Sequence, residues 1–133
     1  RKTGKLDAAE KYYNAALSRQ PNFPEAYYNL ALVMEMRGDL SSAEKCYRDA
    51  LSQRPDYLYA LNNLSVLLVQ LGRLESAERL LRRGLSFHGR SAELLTSLGT
   101  CLRNRGKLNQ ATEAYRKAIA IKPGFSEANW NLA

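Results

Sequence analysis

The chain has 133 residues, 45% of them hydrophobic and 25% charged, a balance that suits a globular chain with a core of its own. Four prolines and eight glycines exclude a collagen-like or Pro/Gly-rich disordered chain, and no apolar run approaches the ~20 residues of a membrane span. Twenty Lys plus Arg against thirteen Asp plus Glu leave a net charge of +7, which attracts anionic partners without choosing among nucleic acid, membrane and acidic protein.

Apolar and small residues at helical spacing predict seven helices, over roughly 7–19, 25–37, 41–53, 59–71, 75–87, 93–105 and 109–121. Asp7 with Glu10 reads as a capping box for the first, and Ser41 with Glu44 for the third. In the second, Ala26, Tyr27, Leu30, Ala31 and Met34 share one face, and Gly38 sits where a helix end wants a left-handed residue. In the third, Leu40, Ala43, Tyr47, Ala50 and Leu51 share a face, and Pro55 stops the helix. Glu75 is a poor cap for the fifth helix, which carries Gly84 where a small Ala is expected. His88 follows as a helix-end cap or solvated loop residue, and Asn109 can cap the seventh.

These elements recur at a fixed step. Gly4, Gly38, Gly72 and Gly106 lie 34 residues apart, as do Leu6, Leu40, Leu74 and Leu108, and Ala9, Ala43, Ala77 and Ala111. Pro21, Pro55 and Pro123 keep the step, with Gly89 in the vacant slot, and Leu30, Leu64, Leu98 and Leu132 complete it. An ordinary helical bundle gives no reason for such a register, whereas stacked two-helix repeats do.

Catalytic chemistry finds few carriers. His88 is the one possible imidazole base and has no evident partner. Glu75 and Glu78 lie a turn apart at a helix start, where the helix dipole explains them. Cys46 and Cys101, 55 positions apart, have neither metal-ligand nor disulfide-framework spacing and read as small hydrophobes in a reducing, intracellular and expectedly cytoplasmic setting. No leader is legible. A non-enzymatic chain without cofactor or metal is expected.

The order Tyr27-x-x-Leu30-Ala31-x-x-Met34, Gly38, Ala43-x-x-x-Tyr47, Ala50 and Pro55 resembles the tetratricopeptide repeat over the whole chain. The resemblance implies an all-α right-handed superhelix, an α-solenoid of antiparallel helix pairs. It divides the chain into a partial repeat at 1–23, full repeats at 24–57, 58–91 and 92–125, and the start of another at 126–133. Both ends cut a repeat, so one array, a segment of a longer solenoid, is expected.

The resemblance further implies a peptide-binding groove on the first helix of each repeat. Its positions fall on Glu25, Tyr28, Asn29, Leu32, Glu35 and Met36, then Tyr59, Asn62, Asn63, Val66, Val69 and Gln70, then Glu93, Thr96, Ser97, Thr100, Arg103 and Asn104, and lastly Glu127, Trp130 and Asn131. The family's clamp for a C-terminal carboxylate is not matched, since its five slots hold Tyr28, Leu32, Asn63, Glu93 and Ser97 with one agreement. The series Asn29, Asn63, Ser97, Asn131 is instead similar to the asparagine ladder of the O-linked N-acetylglucosamine transferase array, where amides hold an extended backbone. An amide side chain offers donor and acceptor together and so pairs with any peptide unit; Ser97 breaks the ladder.

The leading expectation is a scaffold that binds a protein or peptide. The alternatives are a substrate-recognition arm of a multidomain enzyme such as a glycosyltransferase, an array for RNA or an anionic surface, and self-association through uncovered array ends. Arg73, Arg79, Arg82, Arg83, Arg90, Arg103, Arg105 and Lys107 stand against only Glu75, Glu78 and Glu93 in one quarter of the chain. Arg79, Arg82 and Arg83 fall on a second helix and only Arg103 takes a groove position, so the cations lie mostly away from the groove aromatics, which argues against single-stranded nucleic acid.

Overall fold

A computed structural model describes residues 2–123. Seven α-helices account for nearly all of it: α1 Lys2–Arg19, α2 Pro24–Arg37, α3 Leu40–Gln53, α4 Leu58–Gln70, α5 Leu74–Phe87, α6 Ala92–Asn104 and α7 Leu108–Ile121. No strand occurs among the described residues. The chain forms two compact units, one ending at Ala60 and the other beginning at Leu61.

The connections repeat with the sequence step. Gly38, Gly72 and Gly106 adopt φ of +81°, +78° and +79°. Beside each, the next N–H reaches back across the helix end: Asp39 to Met34 O at 2.9 Å, Arg73 to Leu68 O at 2.9 Å, Lys107 to Leu102 O at 2.8 Å. This pairing satisfies the orphan carbonyls of a helix C-terminus and requires a residue at ease with positive φ. The corners after second helices also agree. Tyr57 N donates to Arg54 O and Ser91 N to His88 O, both at 3.1 Å, so Gly89 closes the same turn that Pro55 does. His88 ends α5, its N–H donating to Gly84 O at 2.9 Å.

Four local expectations are corrected. Asp39, not Ser41, caps α3, its carboxylate accepting from Ser42 N at 3.2 Å. The glycine turn delivers the chain directly to Asp39, leaving Ser41 and Glu44 inside the helix. Asn109 likewise lies inside α7, whose cap position is Lys107 with no side-chain bond. α1 begins at Lys2, which places Gly4, Asp7 and Glu10 within the helix. Asp7 and Glu10 serve tertiary structure instead, both pairing with Arg37 of α2; the Asp7 hydrogen bond raises the Arg37 pKa, burial opposing it.

In the first unit α1 packs on α2 and α2 on α3. Its core is Ala26, Leu30, Ala31, Val33, Met34, Ala43, Tyr47 and Ala50. The small residues let the hairpin helices approach, and the Tyr47 hydroxyl donates to the Glu35 carboxylate. In the second unit α5 packs on α6 and α6 on α7, around Leu61, Leu64, Leu68, Leu81, Leu94, Leu98, Leu102, Ala114 and Tyr115. Gly84 and Gly99 are buried there because neighbouring side chains press against them: an added Cβ would lie 3.2 Å from Leu94 Cδ1 and 2.5 Å from Tyr115 Cε1, respectively.

Candidate interaction surface

In the first unit, α2 and the start of α4 bring three tyrosines together. Ring centroids are 5.3 Å apart for Tyr28–Tyr57, 6.1 Å for Tyr28–Tyr59 and 6.5 Å for Tyr57–Tyr59. Tyr57 is buried, Tyr28 half-buried and Tyr59 64% exposed, so an open ring is braced by a covered one and a partly covered one. The Arg54 guanidinium stands 4.6 Å from the Tyr57 centroid and pairs with Glu25 at 2.6 Å. Burial, then the Glu25 charge, pushes the Tyr57 hydroxyl pKa up. Sequence reasoning placed Tyr28 and Tyr59 here but missed Tyr57 and Arg54. The signal available was the Tyr57-x-Tyr59 pair across the loop–helix boundary. Asn29 and Leu32 are half-buried.

In the second unit, α4 and α6 enclose a cleft of about 170 Å³ lined by Ser65, Val66, Val69, Gln70, Thr96, Ser97 and Thr100. The cleft thus unites the expected Val66, Ser97 and Thr100 and adds Ser65, which sequence reasoning did not select. Its hydroxyls are largely spent. Ser65 Oγ donates to Leu61 O at 2.7 Å, and Ser97 Oγ donates to Asn62 Oδ1 at 2.8 Å. Thr100 Oγ1 shares a hydrogen bond with Tyr115 Oη at 3.0 Å. The Ser97 bond fixes the Asn62 amide by its oxygen, leaving the two N–H donors as the groups it can offer a ligand. Asn63 is half-buried, and Arg103 is exposed. Glu127, Trp130 and Asn131 lie outside the described residues.

The basic stretch is partly neutralised. Glu78, buried apart from its edge, accepts from Arg105 at 2.6 Å and Arg82 at 2.9 Å, with Lys107 at 3.5 Å. Burial opposes its ionisation, but the hydrogen bonds from Arg82 and Arg105 and the Lys107 charge outweigh that and hold its pKa below the ordinary carboxylate value. Cys46 and Cys101 are free thiols, with Cys46 pushed up to about 11 by burial and then by Asp49. Among the described residues, no group of three or more His, Cys, Asp or Glu side chains could hold a metal ion, and no helix is long and apolar enough to cross a membrane.

The comparisons with known proteins agree on the architecture. Residues 2–96 match the family model described as the cilia and flagella-associated protein 70 middle TPR-like domain, and residues 92–125 match the tetratricopeptide repeat model. Among solved structures, a crystal structure of MamA is 25% identical with a TM-score of 0.87, covering 98% of this chain and 76% of that one. YrrB, described as a TPR protein with an unusual peptide-binding site, is 24% identical with a TM-score of 0.80, covering 98% and 67%. Pseudomonas aeruginosa pilF is 22% identical with a TM-score of 0.88, covering 98% and 60%. No curated protein matches.

Proposed function

Because the chain belongs to the family of the cilia and flagella-associated protein 70 middle TPR-like domain, an all-α tetratricopeptide-repeat fold, we propose that it is an interaction module whose first helices hold an extended segment of a partner protein. The observation that carries this reading is the Ser97–Asn62 hydrogen bond of 2.8 Å. It immobilises an amide on the face where the ladder series runs and leaves its N–H groups for a peptide carbonyl. Asn29 and Asn63 stand at the preceding steps of the sequence register, in the manner of the asparagine ladder of O-linked N-acetylglucosamine transferase. Tyr28 and Tyr59 supply apolar area beside them, and Leu32, Val66, Thr100 and Arg103 complete the contacts among the described residues. The repeat register 24–57, 58–91 and 92–125, the non-catalytic role and a reducing compartment for the two free thiols belong to the same proposal.

Glu78 engages Arg82, Arg105 and Lys107 together, one carboxylate against three cations, so the preference for a protein partner rests on the amides and not on this cluster. The test uses peptides selected against the chain from a displayed library of random 12-residue sequences. Asn29→Ala with Asn63→Ala should weaken a selected peptide roughly ten- to a hundredfold, each lost hydrogen bond being worth ~1–1.5 kcal/mol. Thermal stability should change little. Retained affinity with a melting temperature lowered by many degrees would make the amides structural and the reading wrong.

A further inference from the structure

The second helices α5 and α7 flank a furrow that shares no residue with the α4–α6 cleft. Leu95 and Leu98 of α6 form its floor, with Leu85 of α5 and Ala114 of α7 beside them, and it encloses about 180 Å³. Apolar surface is open to it: Leu85 is half-buried, and Leu95 and Leu98 are 6% and 5% exposed. Arg82 of α5 and Lys117 of α7 also line it. Arg82 Nη2 reaches Gln110 Oε1 of α7 at 3.3 Å, which ties the two helices across the furrow.

Beyond the furrow the same two helices are cationic. Arg79 and Arg83 are exposed on α5 beside Arg82, and Arg116 is exposed on α7 beside Lys117. None of Arg79, Arg83 and Arg116 has an ion-pair partner among the described residues. The carboxylates of α5 are engaged elsewhere: Arg105, from the α6–α7 turn, pairs with Glu75 and Glu78, and Lys107 with Glu78. On α7, Glu113 lies 3.9 Å from Lys117, both well exposed, and such a surface pair is worth little. The furrow is therefore apolar within and bordered by arginines that lack a counter-ion.

We propose that this furrow docks an acidic segment of a partner protein. One apolar side chain of that segment enters over Leu85, Leu95 and Ala114, and Asp or Glu residues next to it pair with Arg79, Arg83 and Arg116. A guanidinium fork matches a carboxylate in shape as well as charge. Nucleic acid would supply the anions, but no aromatic ring lines the furrow for a base to stack on, and phosphates would leave the leucines uncovered. An anionic bilayer takes up apolar side chains that project from a surface, whereas the leucines here are recessed. The site lies on different helices from the amide face and stands or falls separately from it.

The probe is a peptide selected from the random 12-residue library at low salt, with the intact chain as bait and fluorescence anisotropy as the readout. One class of selected peptides should carry a large apolar residue flanked by Asp and Glu. Arg79→Gln with Arg83→Gln should weaken that class about three- to tenfold, within the range for two exposed charge pairs. Replacing the peptide's apolar residue by Ser should cost about tenfold or more, as expected for a buried aliphatic group. Arg79→Glu with Arg83→Glu should reject the acidic peptide and accept its counterpart with Lys at the acidic places. The methyl NMR signals of Leu85, Leu95 and Ala114 should shift on binding, and the arginine variants should melt like the wild type. Asn29→Ala with Asn63→Ala should leave this class unchanged; a loss there would move these peptides to the amide face and overturn the furrow. Absence of an acidic class, or unmoved methyl signals, would overturn it too. So would single-stranded RNA, or phosphatidylcholine vesicles with one-fifth phosphatidylserine, binding through Arg79 and Arg83 more tightly than any acidic peptide.

Discussion

Gly99→Ala tests the helix packing at its tightest point. A Cβ built on Gly99 would lie 2.5 Å from Tyr115 Cε1, 2.7 Å from Cδ1 and 2.9 Å from Cζ, so the methyl group would overlap the ring edge rather than touch it. Relief requires the ring or the α6–α7 spacing to move. Tyr115 is buried and its hydroxyl is tied to Thr100 at 3.0 Å, so rotating the ring away also strains that bond. Alanine improves helix propensity by ~1 kcal/mol, whereas overpacking a filled core costs ~1–3 kcal/mol and occasionally more. With the overlap falling on a rigid ring, the upper end applies, and the net loss should be about 2 kcal/mol. For a chain of this size that lowers the melting temperature by roughly 6–10 °C, readable by circular dichroism at 222 nm. The same step one repeat earlier pairs Ser65 with Leu81 in the sequence register, which suggests the rescue. Tyr115→Leu in the Gly99→Ala background should cost less than Tyr115→Leu alone plus Gly99→Ala alone, a coupling expected of groups in contact. A Gly99→Ala variant as stable as the wild type, or strict additivity with Tyr115→Leu, would refute the close approach.

Three further outcomes follow from the same structure. Gly84→Ala places its methyl 3.2 Å from Leu94 Cδ1 and 3.4 Å from Leu61 Cδ1, both ends of flexible side chains. The ~1 kcal/mol helix gain should be nearly offset by repacking, leaving the melting temperature within a few degrees of wild type; a loss above ~1 kcal/mol would show that Leu94 cannot yield. Glu78→Gln should destabilise by ~1.5–3 kcal/mol at neutral pH, the worth of hydrogen bonds to charged groups. Because the folded Glu78 pKa is depressed, its stabilisation is present above the unfolded carboxylate pKa and is lost as pH falls through the lowered value. The variant should therefore show a flatter acid limb in melting temperature against pH, and an unchanged limb would sink the assignment. Cys46, raised from an ordinary 9.0 to about 11, should react with an aromatic disulfide reagent at pH 8 roughly a hundredfold slower than a free thiol of ordinary pKa, because the thiolate is the nucleophile. Rapid modification of the folded chain would contradict its burial.

Much of the fold was legible because the governing signals are local. Glycines at 38, 72 and 106 mark positive φ, and helical apolar periodicity places α2 to α7 within about one residue of expectation. The caps were misread for an equally local reason acting over a longer reach. The glycine turn sets where the chain re-enters a helix, so Asp39 takes the cap that Ser41 with Glu44 advertised, and α1 runs back to Lys2 through Asp7. The groove positions followed from the family's register, which says where a side chain falls along the helix but not whether its hydrogen bonds are already spent. Only tertiary structure decides that Ser97 turns its proton to Asn62, that Thr100 meets Tyr115, and that the Thr96 hydroxyl is buried with no hydrogen-bond partner among the described residues. It also decides that Gly99 faces a ring while Gly84 faces methyl groups. Periodicity assigns a residue to a helix face, whereas contact and hydrogen-bond satisfaction depend on distances of a few tenths of an ångström between segments far apart in the chain.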